Sequence, residues 1–373
     1  MVALTGFVFK GQLLAQPRLQ EGYFWKKLSN GLEVLVIENN KVPLATIEIA
    51  VKNGAFTEGP EFSGLSHLFE HMFFKANKDY PTQEKLLKRT QQLGAIWNGS
   101  TNVERVNYFF TILKDSLTSG LKLMNASIRF PIYREEDMAK ERLVVDGEFH
   151  DNESNPDFQL WFEMQKHLWG DLITRKNPIG IHEVINAATP EKMMVIKNKY
   201  YFPNNSLLII SGDVKHENAF ALAENIFGDW ESSGFDPLIK YAVPPFKPLE
   251  KSEYFVKEMS LAQTPAMQFS WQGPSYLTDS TSIVAADVFS TILALNSSKL
   301  QQALVDKGLA SSVELDYTTC KYVGPIDMNV TPNPDKLKEC YTEAINQINQ
   351  FTDPKYFTDN QLKDAKAILL RSA

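Results

Sequence analysis

His67-Leu68-Phe69-Glu70-His71 lies inside an apolar run, residues 63–76, whose spacing predicts one helix. On such a helix, positions i and i+4 share a face one turn apart. His67 and His71 can therefore reach a single metal ion, with Glu70 beside them at i+3. With only 6 histidines in 373 residues, composition alone would rarely put two of them around a glutamate at this spacing. Two imidazoles can hold Zn²⁺ while an open position takes water, and a carboxylate that does not bind the metal can take that water's proton as it attacks a carbonyl. The bland alternative is a pair of packed, non-ligating histidines, since Leu68, Phe69, Met72, Phe73 and Phe74 make the run apolar.

Two histidines alone do not make a tight zinc site, so a third ligand decides between the readings. The best candidate lies in Glu141-Arg142-Leu143-Val144-Val145-Asp146-Gly147-Glu148, within a predicted long helix. Glu141 and Glu148 are seven residues apart, two helical turns, so both carboxylates leave the same face. That pairing suits one metal ligand and one supporting carboxylate that orients a histidine or positions the water. An acidic, solvated helix face is the competing reading.

These motifs resemble the pitrilysin, insulin-degrading enzyme and mitochondrial processing peptidase family of zinc metallopeptidases, the inverzincins. In that family a glutamate roughly 75 residues beyond H-x-x-E-H is the third ligand, with another glutamate before it; here Glu148 follows His71 by 77. The resemblance implies that His67, His71 and Glu148 hold one zinc ion per chain. It also implies that Glu70 is the general base and that Glu141 serves the catalytic site by supporting the ligands. Further segments match in order and spacing. Leu28-Ser29-Asn30-Gly31-Leu32-Glu33-Val34 resembles the family's first hairpin, and Asn-Gly is a strong turn signal. Gly64 through Lys75, Tyr80-Pro81, Tyr201-Phe202-Pro203-Asn204-Asn205 and Ser211-Gly212-Asp213-Val214 follow, so that the resemblance covers residues 22–370.

Gly94-Ala95-Ile96-Trp97-Asn98-Gly99-Ser100-Thr101 resembles the family's edge strand, onto which an extended peptide adds by main-chain hydrogen bonding. The resemblance thus implies Asn98, Gly99, Ser100 and Thr101 as substrate-binding residues; the plain reading is a turn rich in turn formers. One segment departs from the family. Its members complete the site with an Arg and a Tyr seven residues apart, but here Leu304 and Ser311 stand at those positions, and neither can offer a cation or a phenol to a developing oxyanion. Two-subunit members obtain that pair from a partner chain. The expectation is therefore a homologous subunit or a second half that supplies Arg and Tyr.

Composition agrees with an enzyme. With 43% hydrophobic and 22% charged residues, 373 positions can bury one or two substantial cores. A formal charge of −7 without a basic patch argues against nucleic-acid binding. No stretch reaches the length of about 18 apolar residues that suggests a bilayer span. Residues 1–20 are read as a tail or remnant signal peptide, which would place the chain in the periplasm or outside the cell, with the cytoplasm as the alternative. Cys320 and Cys340 are read as structural thiols in a strand and the following helix; whether they form a disulfide is left open.

The fold class expected is α+β, with two duplicated domains, each a mostly antiparallel sheet with helices packed on one face. Residues 21–235 form the zinc-binding peptidase domain, and 236–250, crowded with Pro237, Pro244, Pro245 and Pro248, the linker. Residues 251–373 form a homologous inactive domain, expected to be C-terminally truncated, with strands near 252–272 and 312–330 and helices near 279–304 and from 334 onward. The function expected is a zinc-dependent endopeptidase acting on extended or unfolded peptides; the alternative is a non-catalytic scaffold or partner-binding subunit of a larger peptidase-like complex.

Overall fold

Alternation of apolar residues fixes the first sheet. In a computed structural model that describes residues 20–372, strands β1 (Tyr23–Lys27), β2 (Glu33–Glu38), β3 (Leu44–Val51), β4 (Ile96–Thr101), β5 (Val106–Leu113) and β6 (Ser206–Gly212) form one sheet in the order β1-β2-β6-β3-β5-β4. Only the β2–β6 pair is parallel. Ile47 stands opposite both Phe110 and Ile210, and Ile49 opposite Tyr108 and Leu208, so one face of the sheet is continuously apolar and buried.

The helices of this unit are α1 (Leu65–Phe73), α2 (Gln83–Gln92), α3 (Leu117–Arg129), α4 (Glu135–Ser154), α5 (Pro156–Trp169), α6 (His182–Asn186), α7 (Pro190–Tyr200) and α8 (His216–Phe227), followed by a short turn of helix, α9 (Pro237–Lys240). Helices α1, α3 and α8 cover that face, and the other helices lie around them. Their start signals are legible. Thr82 and Thr189 each accept from the backbone N–H three residues on, and Asn155 accepts from the Asp157 N–H ahead of a first-turn proline. At α8 the cap comes from another element: Glu38 at the end of β2 accepts from both the N–H and the Nδ1 of His216, at 2.8 Å each. Those bonds hold the Glu38 carboxyl down to about 2, below its ordinary 4.5. Because the folded value is depressed, the contribution to stability is present above pH 4.5 and is lost as the pH falls toward 2. A Glu38→Gln variant should therefore melt below the wild type at pH 6 and together with it near pH 2, as read by thermal unfolding.

The second unit is smaller. Strands β7 (Met267–Gln272), β8 (Ala310–Tyr317) and β9 (Pro325–Pro332) form an antiparallel sheet in the order β7-β9-β8, accompanied by α10 (Ser280–Ala294), α11 (Lys299–Gln301), α12 (Leu337–Gln350) and α13 (Asp359–Ser372). It has its own apolar cluster, including Leu293, Leu304, Val313, Met328, Val330 and Tyr356, separate from the cluster of the first unit. The order strand, two helices, two strands, helix repeats that of β3 to α3.

Two expectations are corrected. Of the strands expected near 252–272, only 267–272 pairs; residues 252–266 join no sheet among the described residues, and Tyr254, Val256 and Leu261 are exposed. Residues 236–250, read as the linker, include α9, which Asp236 caps through the N–H groups of Leu238 and Ile239. Cys320 lies in the loop between β8 and β9 rather than in a strand; it and Cys340 of α12 are both free and buried. Residues 1–19, to which the signal-peptide reading applies, lie outside the described residues. Among the described residues no single helix is long and apolar enough to cross a membrane.

Candidate metal centre and active site

Helix α1 is held on its apolar side by Leu65, Leu68, Phe69, Met72 and Phe73, all buried, with Phe69 stacked on Tyr201 and Phe73 on Tyr108. That packing turns His67 and His71 toward α4. The helix begins at Gly64, in the left-handed region at φ 88°, where an added Cβ would come within 2.8 Å of the Ile179 oxygen and 2.9 Å of the Gly180 Cα. The buried Glu58 carboxylate caps the first turn, accepting from the N–H groups of Gly64 at 2.7 Å and Ser66 at 2.6 Å. Burial pushes the Glu58 carboxyl up to about 8, against the pull of these donors and of Arg175.

His67 Nε2 and His71 Nε2 stand 3.3 Å apart. The Glu148 oxygens lie 3.6 Å from the first and 3.7 Å from the second. Ligand atoms about 2.0–2.2 Å from a tetrahedral zinc are separated by roughly 3.3–3.6 Å, and the two nitrogens and the Glu148 carboxylate, which meets each histidine through a different oxygen, stand at close to that spacing. The tautomer of His71 fits as well. Glu141 faces its Nδ1 at 3.1 Å, which leaves the proton there and the lone pair on Nε2, aimed at His67. The residues present therefore fit a zinc ion, on geometry and on donor chemistry.

Charge follows position. Burial opposes a charge on His71, but the Glu141 hydrogen bond and the nearby Glu148 and Glu70 outweigh it and raise its pKa. Burial and the neighbouring His71 lower His67 to about 4. For Glu70, burial is the largest influence and holds the carboxyl above its ordinary value, with Glu148 adding to it and His71 and Thr101 opposing. A carboxyl so placed is a better proton acceptor than one in water.

Helix α4 presents Glu141 and Glu148 to α1 from one face, as the seven-residue spacing predicts, and is anchored behind by Arg142 on the Ala188 carbonyl and by Asp146 against His182 at 2.8 Å. The structure adds Lys75, which sequence reasoning passed over. Its ammonium pairs with the Glu141 oxygen turned away from His71. The signal was available: Lys75 continues the i, i+4 row from His71 and carries the charge that a buried carboxylate needs.

Strand β4 forms one wall of the surrounding cavity, of about 490 Å³, and no strand bonds to its outer edge among the described residues. The four residues expected to bind substrate divide by strand alternation. Gly99 and Thr101 face α1, and the Thr101 hydroxyl donates to Glu70 at 3.3 Å; Asn98 and Ser100 point to the opposite face of the sheet, where Ser100 donates to Asn107 at 2.7 Å. Gly99 is small for a reason. A Cβ there would sit 2.7 Å from Glu70 Oε1, so the missing side chain lets the strand backbone close on the carboxylate. Trp97, stacked on Phe74 at 4.3 Å, makes the apolar wall. Among the described residues lining the cavity there is neither Arg nor Tyr. Leu304 is fully buried in the second unit's core, and Ser311 donates to the Thr331 carbonyl at the bulge between β8 and β9.

Comparison with known proteins gives a consistent picture. The family model described as "Insulinase (Peptidase family M16)" matches residues 33–169, and that described as "Peptidase M16 inactive domain" matches 187–369. An uncharacterized zinc protease of Rickettsia felis is 26% identical over 340 residues, covering 90% of this chain and 79% of that one. Human insulin-degrading enzyme is 24% identical over 245 residues, which are 62% of this chain but 23% of the longer protein. Among solved structures, a protease from Helicobacter pylori superposes with a TM-score of 0.81 at 22% identity, covering 94% of this chain and 84% of that one. The first half of the periplasmic protease PqqL from Escherichia coli gives 0.73 at 16% identity, covering 94% and 76%.

Proposed function

Because the chain belongs to peptidase family M16, the insulinase family, we propose that it is a zinc-dependent endopeptidase acting on extended or unfolded peptides. The observation that carries this reading is the convergence of His67 Nε2, His71 Nε2 and a Glu148 oxygen on one point, with the non-ligating Glu70 beside them.

His67, His71 and Glu148 would hold the ion, and Glu141 would fix His71 through its Nδ1–H, itself steadied by Lys75. Zinc, when bound, supplies Lewis acidity: it lowers the pKa of water and polarises a peptide carbonyl. The remaining work falls to the chain. An extended peptide pairs with the open edge of β4 and is thereby held with its backbone across Glu70. Glu70 takes the proton of the attacking water and passes it to the nitrogen of the leaving amine; its raised pKa suits both transfers. The Thr101 hydroxyl keeps the carboxylate in place between them. Among the described residues lining the cavity, Lys75 is the one Lys or Arg and it is engaged by Glu141, so full activity on this reading needs an Arg and a Tyr from a homologous subunit or a further half.

Zinc stoichiometry tests the reading. The purified chain should carry close to one zinc, and Glu148→Gln should lower the affinity by about 100-fold or more, since a neutral amide replaces a charged ligand. Absence of zinc from both proteins after metal loading would overturn the proposal in favour of a partner-binding role.

A further inference from the structure

The two units meet at the turn that joins β4 to β5. Glu104, in that turn, accepts from two consecutive backbone N–H groups of the β8–β9 loop, Lys321 at 2.6 Å and Tyr322 at 3.2 Å. The same turn is gripped from the other side, where the N–H groups of Ala55 and Phe56 donate to the carbonyls of Asn102 and Val103, at 3.4 and 2.9 Å. The Tyr322 ring lies 5.6 Å from that of Phe56, and Lys176, buried over the rings of Trp169 and Phe246, donates to the Val323 carbonyl. A loop of the second unit is thus seated on the tip of the hairpin whose free strand faces Glu70.

Glu104 lies three residues beyond Thr101, the residue that touches Glu70, and three residues of a tight turn leave little slack between them. The β4 edge has no strand partner on its outer side among the described residues, so its position depends on β5, on its contacts with α1 and on the turn. A carboxylate bound by two backbone donors is a strong and directional anchor. We infer that Glu104 is a positioning residue: by holding residues 321 and 322 it fixes the 102–105 turn and, through it, the seat of β4 against Glu70. The second unit therefore contributes to the site without placing a side chain in it. The kinetic consequence rests on the peptidase reading above; the structural one does not.

Hydrogen exchange on the full chain separates this from a simple tether between units. In Glu104→Ala, exchange should quicken by about tenfold or more both at residues 319–323 and across β4, with β3 unchanged as internal reference. Glu104→Gln, which keeps one acceptor oxygen, should fall between the variant and the wild type, and it also serves if the alanine variant folds poorly. With a quenched-fluorescent peptide, KM should rise several-fold while kcat and zinc content hold, because the strand and not the metal has moved. Quickened exchange at 319–323 with β4 unaltered would overturn the inference, as would equal quickening in β3. If the wild type takes up no zinc after metal loading, the peptidase reading fails while the exchange result still decides the role of Glu104.

Discussion

Replacing Glu70 by Gln should lower peptide turnover by about 1,000-fold while leaving zinc content unchanged. Glutamine keeps the size of the side chain and an oxygen that can accept from the Thr101 hydroxyl, so the cavity survives; only the capacity to take and return a proton is lost. The zinc result should hold because Glu70 stands outside the triangle formed by His67, His71 and Glu148. The contrast with Glu148→Gln is the useful part: one variant should lose turnover with metal retained, the other should lose both. The readouts are kcat/KM on a quenched peptide and zinc per chain on the same preparation. Turnover within tenfold of the wild type would remove Glu70 from the role assigned to it.

Gly180→Ala should destabilise the chain by about 3 kcal/mol or more, the sum of a left-handed Ala and overpacking at a backbone contact. Gly180 has φ 82°, and a Cβ on it would stand 2.2 Å from the Gly64 Cα and 2.6 Å from the Ser63 oxygen. Both neighbours are backbone and cannot swing aside. Because Gly64 is the residue from which α1 begins, relief of the clash has to displace the start of the helix that carries His67 and His71. Loss of stability and loss of zinc affinity should therefore appear together. Thermal unfolding with and without zinc would show it, as a lower midpoint and a smaller zinc-induced rise. An unchanged midpoint would mean that the two strands of backbone can separate at no cost.

What could be read from the residues depended on whether the signal was local. The helix around His67 and the strand Val106–Leu113 follow from periodicity alone, and the seven-residue spacing of Glu141 and Glu148 is enough to put both on one face of α4. Contacts that depend on how the chain turns between elements were out of reach. Nothing in the run around Glu58 marks it as the cap of α1, since the donors lie six and eight residues away across a turn. The division of Asn98, Gly99, Ser100 and Thr101 between two faces follows from period two once the run is taken as the edge strand that the resemblance implies; by themselves these residues, turn formers, read as a turn. The stretch 252–266 shows the converse: β-favouring side chains do not make a strand where no neighbour offers its hydrogen bonds.

The open edge of β4 has a consequence for what can be a substrate. A surface that reads main-chain donors and acceptors is nearly indifferent to side chains, but it requires that the incoming segment have its own donors and acceptors free. In a folded protein those groups are already spent in helices and sheets. On the proposed function, then, the rate at which a given protein is cut is set by how often a stretch of it comes undone, a quantity that belongs to the victim and not to the enzyme. Sequence preference would be shallow, and conformational stability would be the effective code.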